Sequence, residues 1–401
     1  MYNSRMEAMT VEIKLMQEDS FDEAIRLSSY AFQYHVPESD YPKRREKMRK
    51  HKIYGAYEDG KLAAKLHLLD LKVKIQDKEW KMGGIAGVAT FPEYRRRGYV
   101  SGLMRQALSA MKENGQIISF LHPFNIHFYR KYGWELVSDQ KKIEINKIDL
   151  HMIGQLSGRI TRFDKDNHDA AAEEIYDRFS SKFSGMLVRD RDWWLQSVYS
   201  DYQIAVWQTD GGRPEGYILY KIEKSILDIQ ELAALTAEAR KGLWNFVCQH
   251  DSMIDKVKVL TSVHDPFPYY LRQPKQHMEI TPYFMARIVD LPMALADYQF
   301  NVFPEQSLFL HIADELAPWN TGTYQLSANG VQYFAPKEGG SCTHPPKRGL
   351  QLSINALTAV ITGYMRPSEL YDLGEITGPA EDADRFERMV PHQKAFFYDF
   401  F

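Results

Sequence analysis

The chain has 401 residues, of which 44% are hydrophobic and 26% charged, with 24 glycines and 18 prolines. That length suits about two to three domains, and the composition excludes a disordered tail protein, a collagen-like repeat and a small disulfide scaffold. Fifty basic residues against 53 acidic ones leave a net charge of -3, which argues against a chain that lives on nucleic-acid phosphates.

The two cysteines, Cys248 and Cys342, form neither a zinc spacing nor a disulfide framework and point to a reducing compartment. The stretch 349–365 has no charged residue between Gly349 and Met365 but contains Gln351, Ser353, Asn355, Thr358 and Thr362. It is also shorter than the roughly 20 apolar residues that a spanning helix needs. Residues 1–15 carry Arg5, Glu7, Glu12 and Lys14 where a signal peptide would be apolar. The expectation is a cytoplasmic, soluble protein of several domains that binds neither membrane nor nucleic acid.

Residues 1–150 read as an α/β unit. Val11, Ile13 and Leu15 alternate as a strand, and Ser20 to Glu23 has capping-box spacing before a helix over 21–34. A charged helix over 42–50 follows. Asp59-Gly60 is a hairpin turn between strands. A strand over 82–89, a helix over 99–114, a short strand over 116–121, a short helix over 125–132 and final strands over 134–145 complete the unit.

The programme then repeats. A helix over 170–183 precedes a hairpin whose turn includes Thr209-Asp210-Gly211-Gly212, and a strand over 226–232 leads to a helix over 237–249 that Thr236 can cap. Strands over 256–263 and 283–288 close this second unit. Residues 292–401 change to α+β character, with strands around the Asn329-Gly330 turn and a helix over 356–365 that Asn355 can cap. The chain ends on Phe396-Phe397-Tyr398-Asp399-Phe400-Phe401, a run too apolar to leave in water, which predicts a docked terminus.

The most informative segment runs from Val88 to Met104. A strand ends there, a turn carries Arg95, Arg96, Arg97 and Gly98, and a helix begins at Tyr99. Free amides at a helix start, reinforced by the helix dipole and arginines, suit a diphosphate. A solvated basic turn is the plain alternative.

The pattern R-x-x-G-x-[G/A], present as Arg95 to Val100 with Val at its last place, resembles the acyl-CoA pyrophosphate loop of the GNAT acetyltransferase superfamily. Phe128-Tyr129-Arg130-Lys131-Tyr132-Gly133-Trp134-Glu135 resembles its second signature. With two GNAT-like units (1–150, and 151–291 without a cofactor motif), a sterol-carrier-like unit (292–401) and an aromatic carboxyl terminus, the chain resembles the enhanced intracellular survival (Eis) family. The fold expected is therefore α/β to α+β: two tandem mixed-sheet GNAT-like domains followed by a sterol-carrier-protein-like domain.

The resemblance implies acetyl-CoA as co-substrate, no metal, amine acceptors that include aminoglycosides or polyamines, and a homo-oligomer, a hexamer in the family. It places the pantetheine arm on Val88, Ala89 and Thr90, the pyrophosphate on Arg96, Arg97, Gly98, Tyr99, Val100 and Ser101, and the thioester end by Phe124 and Asn125. Tyr129 takes the role of general acid, and the α-carboxylate of Phe401 that of general base. Tyr30 to His35, expected to border the acceptor, lacks carboxylates, and Ala86 and Gly87 are small; a cavity less acidic than an aminoglycoside specialist's is expected. Two other readings stay open: a non-catalytic acyl-CoA or lipid-binding protein, and a transferase acting on protein lysines or N-termini. His122 and His127 lack further ligands at metal spacing, and the basic run from Lys43 to Lys50 reads as a solvated helix face.

Overall fold

A computed structural model describes residues 11–303, 306–336 and 348–401; Cys342 and the first ten residues of the N-terminal stretch lie outside them. Among the described residues, seventeen strands form two sheets.

The first unit supplies β1 (Val11–Leu15), β2 (Lys52–Glu58), β3 (Lys61–Ile75), β4 (Lys78–Thr90), β5 (Ile118–Leu121) and β6 (Glu135–Asn146), with helices α1 (Phe21–Ala31), α2 (Tyr41–Met48), α3 (Tyr99–Glu113) and α4 (Ile126–Arg130). The Asp59-Gly60 turn has φ of 49° and 78°, the pair of positive values that lets a two-residue hairpin match strand twist. Ser20 precedes α1 as expected, but its side chain makes no capping bond; its hydroxyl donates to Asp19 instead. The expected capping box therefore does not form.

The second unit supplies β7 (Arg159–Phe163), β8 (Gln203–Gln208), β9 (Pro214–Glu223), β10 (Ile226–Ala234), β11 (Lys256–Thr261) and β12 (His277–Ile288). Its helix α5 (Ala170–Ser180) packs on β9, and the helix Ala237–Cys248 is capped by Thr236, which accepts from the Ala239 amide at 3.1 Å. All twelve strands join one sheet in the order β1-β2-β3-β4-β5-β12-β6-β11-β10-β9-β8-β7. The last strands of the two units are thus exchanged: β12 pairs with β5, and β6 pairs with β11. Residues that read as the end of one unit complete the other, so the two form a continuous sheet.

The third unit holds β13 (Leu308–Ala313), β14 (Gly322–Ser327), β15 (Gly330–Phe334), β16 (Leu350–Ser353) and β17 (Ile376–Thr377) in the order β15-β14-β13-β16-β17. Its helix Ile354–Ile361 is capped by Ser353, whose hydroxyl accepts from Ala356. Asn355, expected to be the cap, instead donates to the carbonyls of Arg130 and Trp134 at 3.1 and 3.0 Å. One buried cluster runs from Val73, Trp80 and Phe120 through Phe284 to Leu310, Leu357, Phe386 and Phe397. The third unit is therefore joined to the large sheet by shared core, not by a solvated seam. No helix of the described residues is long and apolar enough to cross a membrane.

Candidate active site

The strand β4 makes the first part of the site by leaving its neighbour. It pairs in parallel with β5 only over Met82 to Ile85. Beyond that point Gly87, at φ 56°, and Val88 stand opposite the single Leu66 of β3. Such a bulge bends the strand, and β5 does not follow it. Residues 86–90 are left bordering open space.

The chain then turns through Arg96, at φ 63°, and Gly98, at φ 84°, into α3. The first i→i−4 bond of α3 runs from Gly102 to the Gly98 carbonyl at 3.1 Å. The amides of Tyr99, Val100 and Ser101 precede it and lack helical acceptors. A side chain at Gly98 would meet nothing within 4 Å, so glycine is required there by backbone conformation while the space beside it stays clear.

These elements enclose a cavity of about 650 Å³ lined by Val88, Ala89, Thr90, Arg95, Arg96, Gly98, Tyr99, Val100, Ser101 and Phe124. Two residues expected to hold the cofactor do not line it. Arg97 turns to the buried Glu58, its guanidinium 2.8 Å from the carboxylate, and the Tyr99 hydroxyl donates to the same group. A buried carboxylate needs such partners, and Arg97 thereby braces the turn from behind. Asn125 caps α4, its side chain accepting from the Phe128 amide at 2.9 Å.

A second cavity of about 650 Å³ adjoins the first, sharing Phe32, Val88 and Phe124 as walls. Tyr129, Phe400 and Phe401 line it, together with Ala86, Gly87 and His122. Tyr129 comes from α4, whose start is capped by Asn125 and whose exit passes through Gly133 at φ 88°. The Arg287 guanidinium, paired with Asp314 of the third unit at 2.6 Å, holds the Tyr132 carbonyl just before that glycine. Tyr129 is 3% exposed, and burial, with Tyr132 nearby, pushes its phenol well above the ordinary 10.0. Its hydroxyl thus stays protonated at neutral pH. Burial lowers the His122 imidazole below its usual value.

Phe401 reaches this wall because the tail is locked upstream. Ala395 bridges Ser184, and the Phe396 amide donates to the Ser184 carbonyl at 3.0 Å. The Asp399 carboxylate, almost wholly buried, accepts from Arg189 Nε at 2.9 Å and Trp193 Nε1 at 2.7 Å. The Tyr283 hydroxyl donates to the Asp399 carbonyl at 2.9 Å. The Phe401 ring then packs on Phe284, centroids 5.2 Å apart. The aromatic tail was legible as docked; Asp399 and Arg189, which hold it, carry no sequence signal of their own. Nor do Lys65, His67 and His51, which also line the second cavity.

Three family matches follow this order along the chain. The acetyltransferase (GNAT) domain matches residues 12–137, a second acetyltransferase (GNAT) domain matches 185–288, and the sterol carrier protein domain matches 291–398. The N-acetyltransferase Eis of Mycobacterium tuberculosis is 25% identical over 207 residues, 47% of this chain and 50% of that protein. The chain is a GNAT-type N-acetyltransferase that resembles Eis.

The Eis-like chain is also 25% identical to an uncharacterized N-acetyltransferase of Streptomyces avermitilis over 327 residues, 75% of each chain. A conserved protein of Enterococcus faecalis superposes with a TM-score of 0.89 at 25% identity, covering 98% of this chain and all of that one. Eis1 from Mycobacterium abscessus shares the fold at a TM-score of 0.79 and 17% identity, with 98% and 100% covered. In this Eis-like acetyltransferase the β4–α3 turn and Tyr129 both fall within the first GNAT match, whereas Phe401 lies beyond the sterol carrier match.

Proposed function

We propose that the protein transfers an acetyl group from acetyl-CoA to a primary amine, with Tyr129 as general acid and the Phe401 α-carboxylate as general base. The observation that carries this reading is the meeting of two cavities at Phe32, Val88 and Phe124, one lined by a helix start and a free strand edge, the other by Tyr129 and Phe401. Bound acetyl-CoA supplies an activated thioester that an amine can attack without an enzyme nucleophile.

The groups of the first cavity suit that co-substrate. The edge of Val88, Ala89 and Thr90 offers backbone partners to the pantetheine amides, as an added strand would. The amides of Tyr99, Val100 and Ser101, with Arg96, face the diphosphate, and the clear space at Gly98 admits it. Phe124 stands between the two cavities at the thioester end. Tyr129 holds the proton that the departing thiolate needs. The Phe401 carboxylate attracts the ammonium form of the acceptor and takes a proton from it, which frees the nitrogen lone pair to attack the thioester carbonyl. The second proton the nitrogen sheds after the bond forms balances the one Tyr129 gives to the thiolate.

In this reading residues 1–150 carry the chemistry, 151–291 form a degenerate GNAT-like unit, and 292–401 deliver the carboxyl terminus. A hexamer, which the family resemblance implies, is tested by light scattering. The mechanism is tested by CoA release with a panel of amines in Tyr129→Phe and in a chain lacking Phe401. Each is expected to lose about 10²–10⁴-fold in kcat. Full activity in both would overturn the assignment of acid and base.

A further inference from the structure

The second cavity is basic. Arg44, Lys47, His51, Lys65, His67 and His122 line it, and among the described residues its lining includes no aspartate or glutamate. Phe401, whose α-carboxylate is the proposed base, lines the same cavity.

Ion pairing on α2 and just after it separates the cations by direction. Arg45 pairs with Asp22 at 2.6 Å, Arg49 with Glu18 at 2.9 Å and Lys50 with Asp192 at 3.1 Å. Arg44 and Lys47, one helical turn apart on the cavity side, have no carboxylate partner among the described residues; Arg44 rests on the Tyr34 ring, 5.4 Å from its centroid. Residues 44, 47 and 48 of α2 line the cavity at the spacing of one helix face, and His51 joins them just past the helix end.

Lys65 repeats the pattern from β3. It is fully buried, and its Nζ lies 3.1 Å from the Gly87 carbonyl and 2.8 Å from His67 Nε2. His67 Nδ1 is in turn 3.2 Å from His51 Nδ1. An ammonium has three donors, and two acceptors are in reach. No carboxylate balances it among the described residues, and burial lowers the Lys65 amine to about 7. Buried charges are ordinarily paired; here the pairing anion is missing from the wall itself.

We infer that the acceptor is an amine that also bears an anionic group, a carboxylate or a phosphate, bound by Arg44 and Lys47 with the buried Lys65 behind the same wall. This rests on the transferase reading of the same cavity. The ammonium end goes to the Phe401 carboxylate and the anionic end to Arg44 and Lys47, with Lys65 held protonated by the nearby anion, so the two charges orient the molecule. A polycation such as an aminoglycoside meets like charge on the same wall.

The test uses two pairs of acceptors: phenethylamine with its para-carboxylate, and ethanolamine with its phosphate ester. The anionic member of at least one pair is expected to show kcat/KM about tenfold or more above its neutral partner, the scale of one charge-assisted contact; the pair that responds tells carboxylate from phosphate. In Lys65→Met, and in the exposed double variant Arg44→Gln/Lys47→Gln, that ratio falls toward one. Neutral members equal or better in both pairs, or an aminoglycoside as best acceptor, would overturn the inference. Calorimetric binding of the same four amines to the CoA-loaded protein separates it from the transferase reading. Anion-selective binding that Lys65→Met weakens, without turnover, keeps the anion site and sinks the transferase. Binding with no preference sinks the anion site whatever the turnover.

Discussion

The Phe401 ring occupies the space that a side chain at Gly84 would need: an ideal Cβ there would stand 2.8 Å from the ring's Cε2 and 3.0 Å from Leu71 Cδ1. A glycine on β4 thus seats the last residue of the chain against the strand that also edges the first cavity. Gly84→Ala is expected to push the ring away at a cost of about 1–3 kcal/mol of overpacking. Thermal unfolding should register that cost, and CoA release should fall more than acetyl-CoA affinity does.

The second constraint on Phe401 is remote. Arg189 lies between Glu231 and Asp399, all three buried. Arg189→Met leaves two carboxylates buried without their cation, a loss on the order of 3–5 kcal/mol. Denaturant unfolding checks the energy. Faster amide exchange over 395–401 than in the wild type checks that the tail is released.

Asn355 ties the third unit to the helix of Tyr129 through the carbonyls of Arg130 and Trp134. Asn355→Ala removes two hydrogen bonds, each worth about 1 kcal/mol. Its stability loss should be modest, with kcat reduced and the KM for acetyl-CoA near that of the wild type. Steady-state kinetics at fixed amine separates these.

Lys65 makes stability depend on pH. Burial lowers its amine from 10.5 to about 7 in the folded chain. Between those values the unfolded chain holds a proton that the folded chain has shed, so stability rises with pH across the window. Below about 7 both states carry the proton, and the cost of burying the charge is present in full. Wild type should therefore gain on Lys65→Met from about pH 7 to pH 10 and run parallel to it at lower pH, as read by denaturant midpoints.

Local features were legible wherever a residue's partners are its chain neighbours. The Asp59-Gly60 turn, the Thr236 cap, the glycine before α3 and the amides that follow it all appear as read. The misreadings have a common cause. Ser20 and Asn355 stood at capping positions, but nearby or distant partners claimed their side chains. Arg97 sits in an arginine run whose members look alike, and only the buried Glu58, 39 positions earlier, distinguishes it. The exchange of β6 and β12 could not be read, because either strand fits either unit by pattern.

By itself the sequence determined the order of units, the β4–α3 turn with its positive-φ glycine, and the short helix that carries Tyr129. Those depend on backbone propensity and on contacts within a few residues. Only the tertiary structure decided which cations face the second cavity and that residue 401 lines it beside Tyr129. The position of the chain end follows from partners about 200 to 300 positions away, Arg189 with Asp399 and Gly84 beneath Phe401. Each partner is visible in the sequence, but which of them meet is settled only when one core is packed.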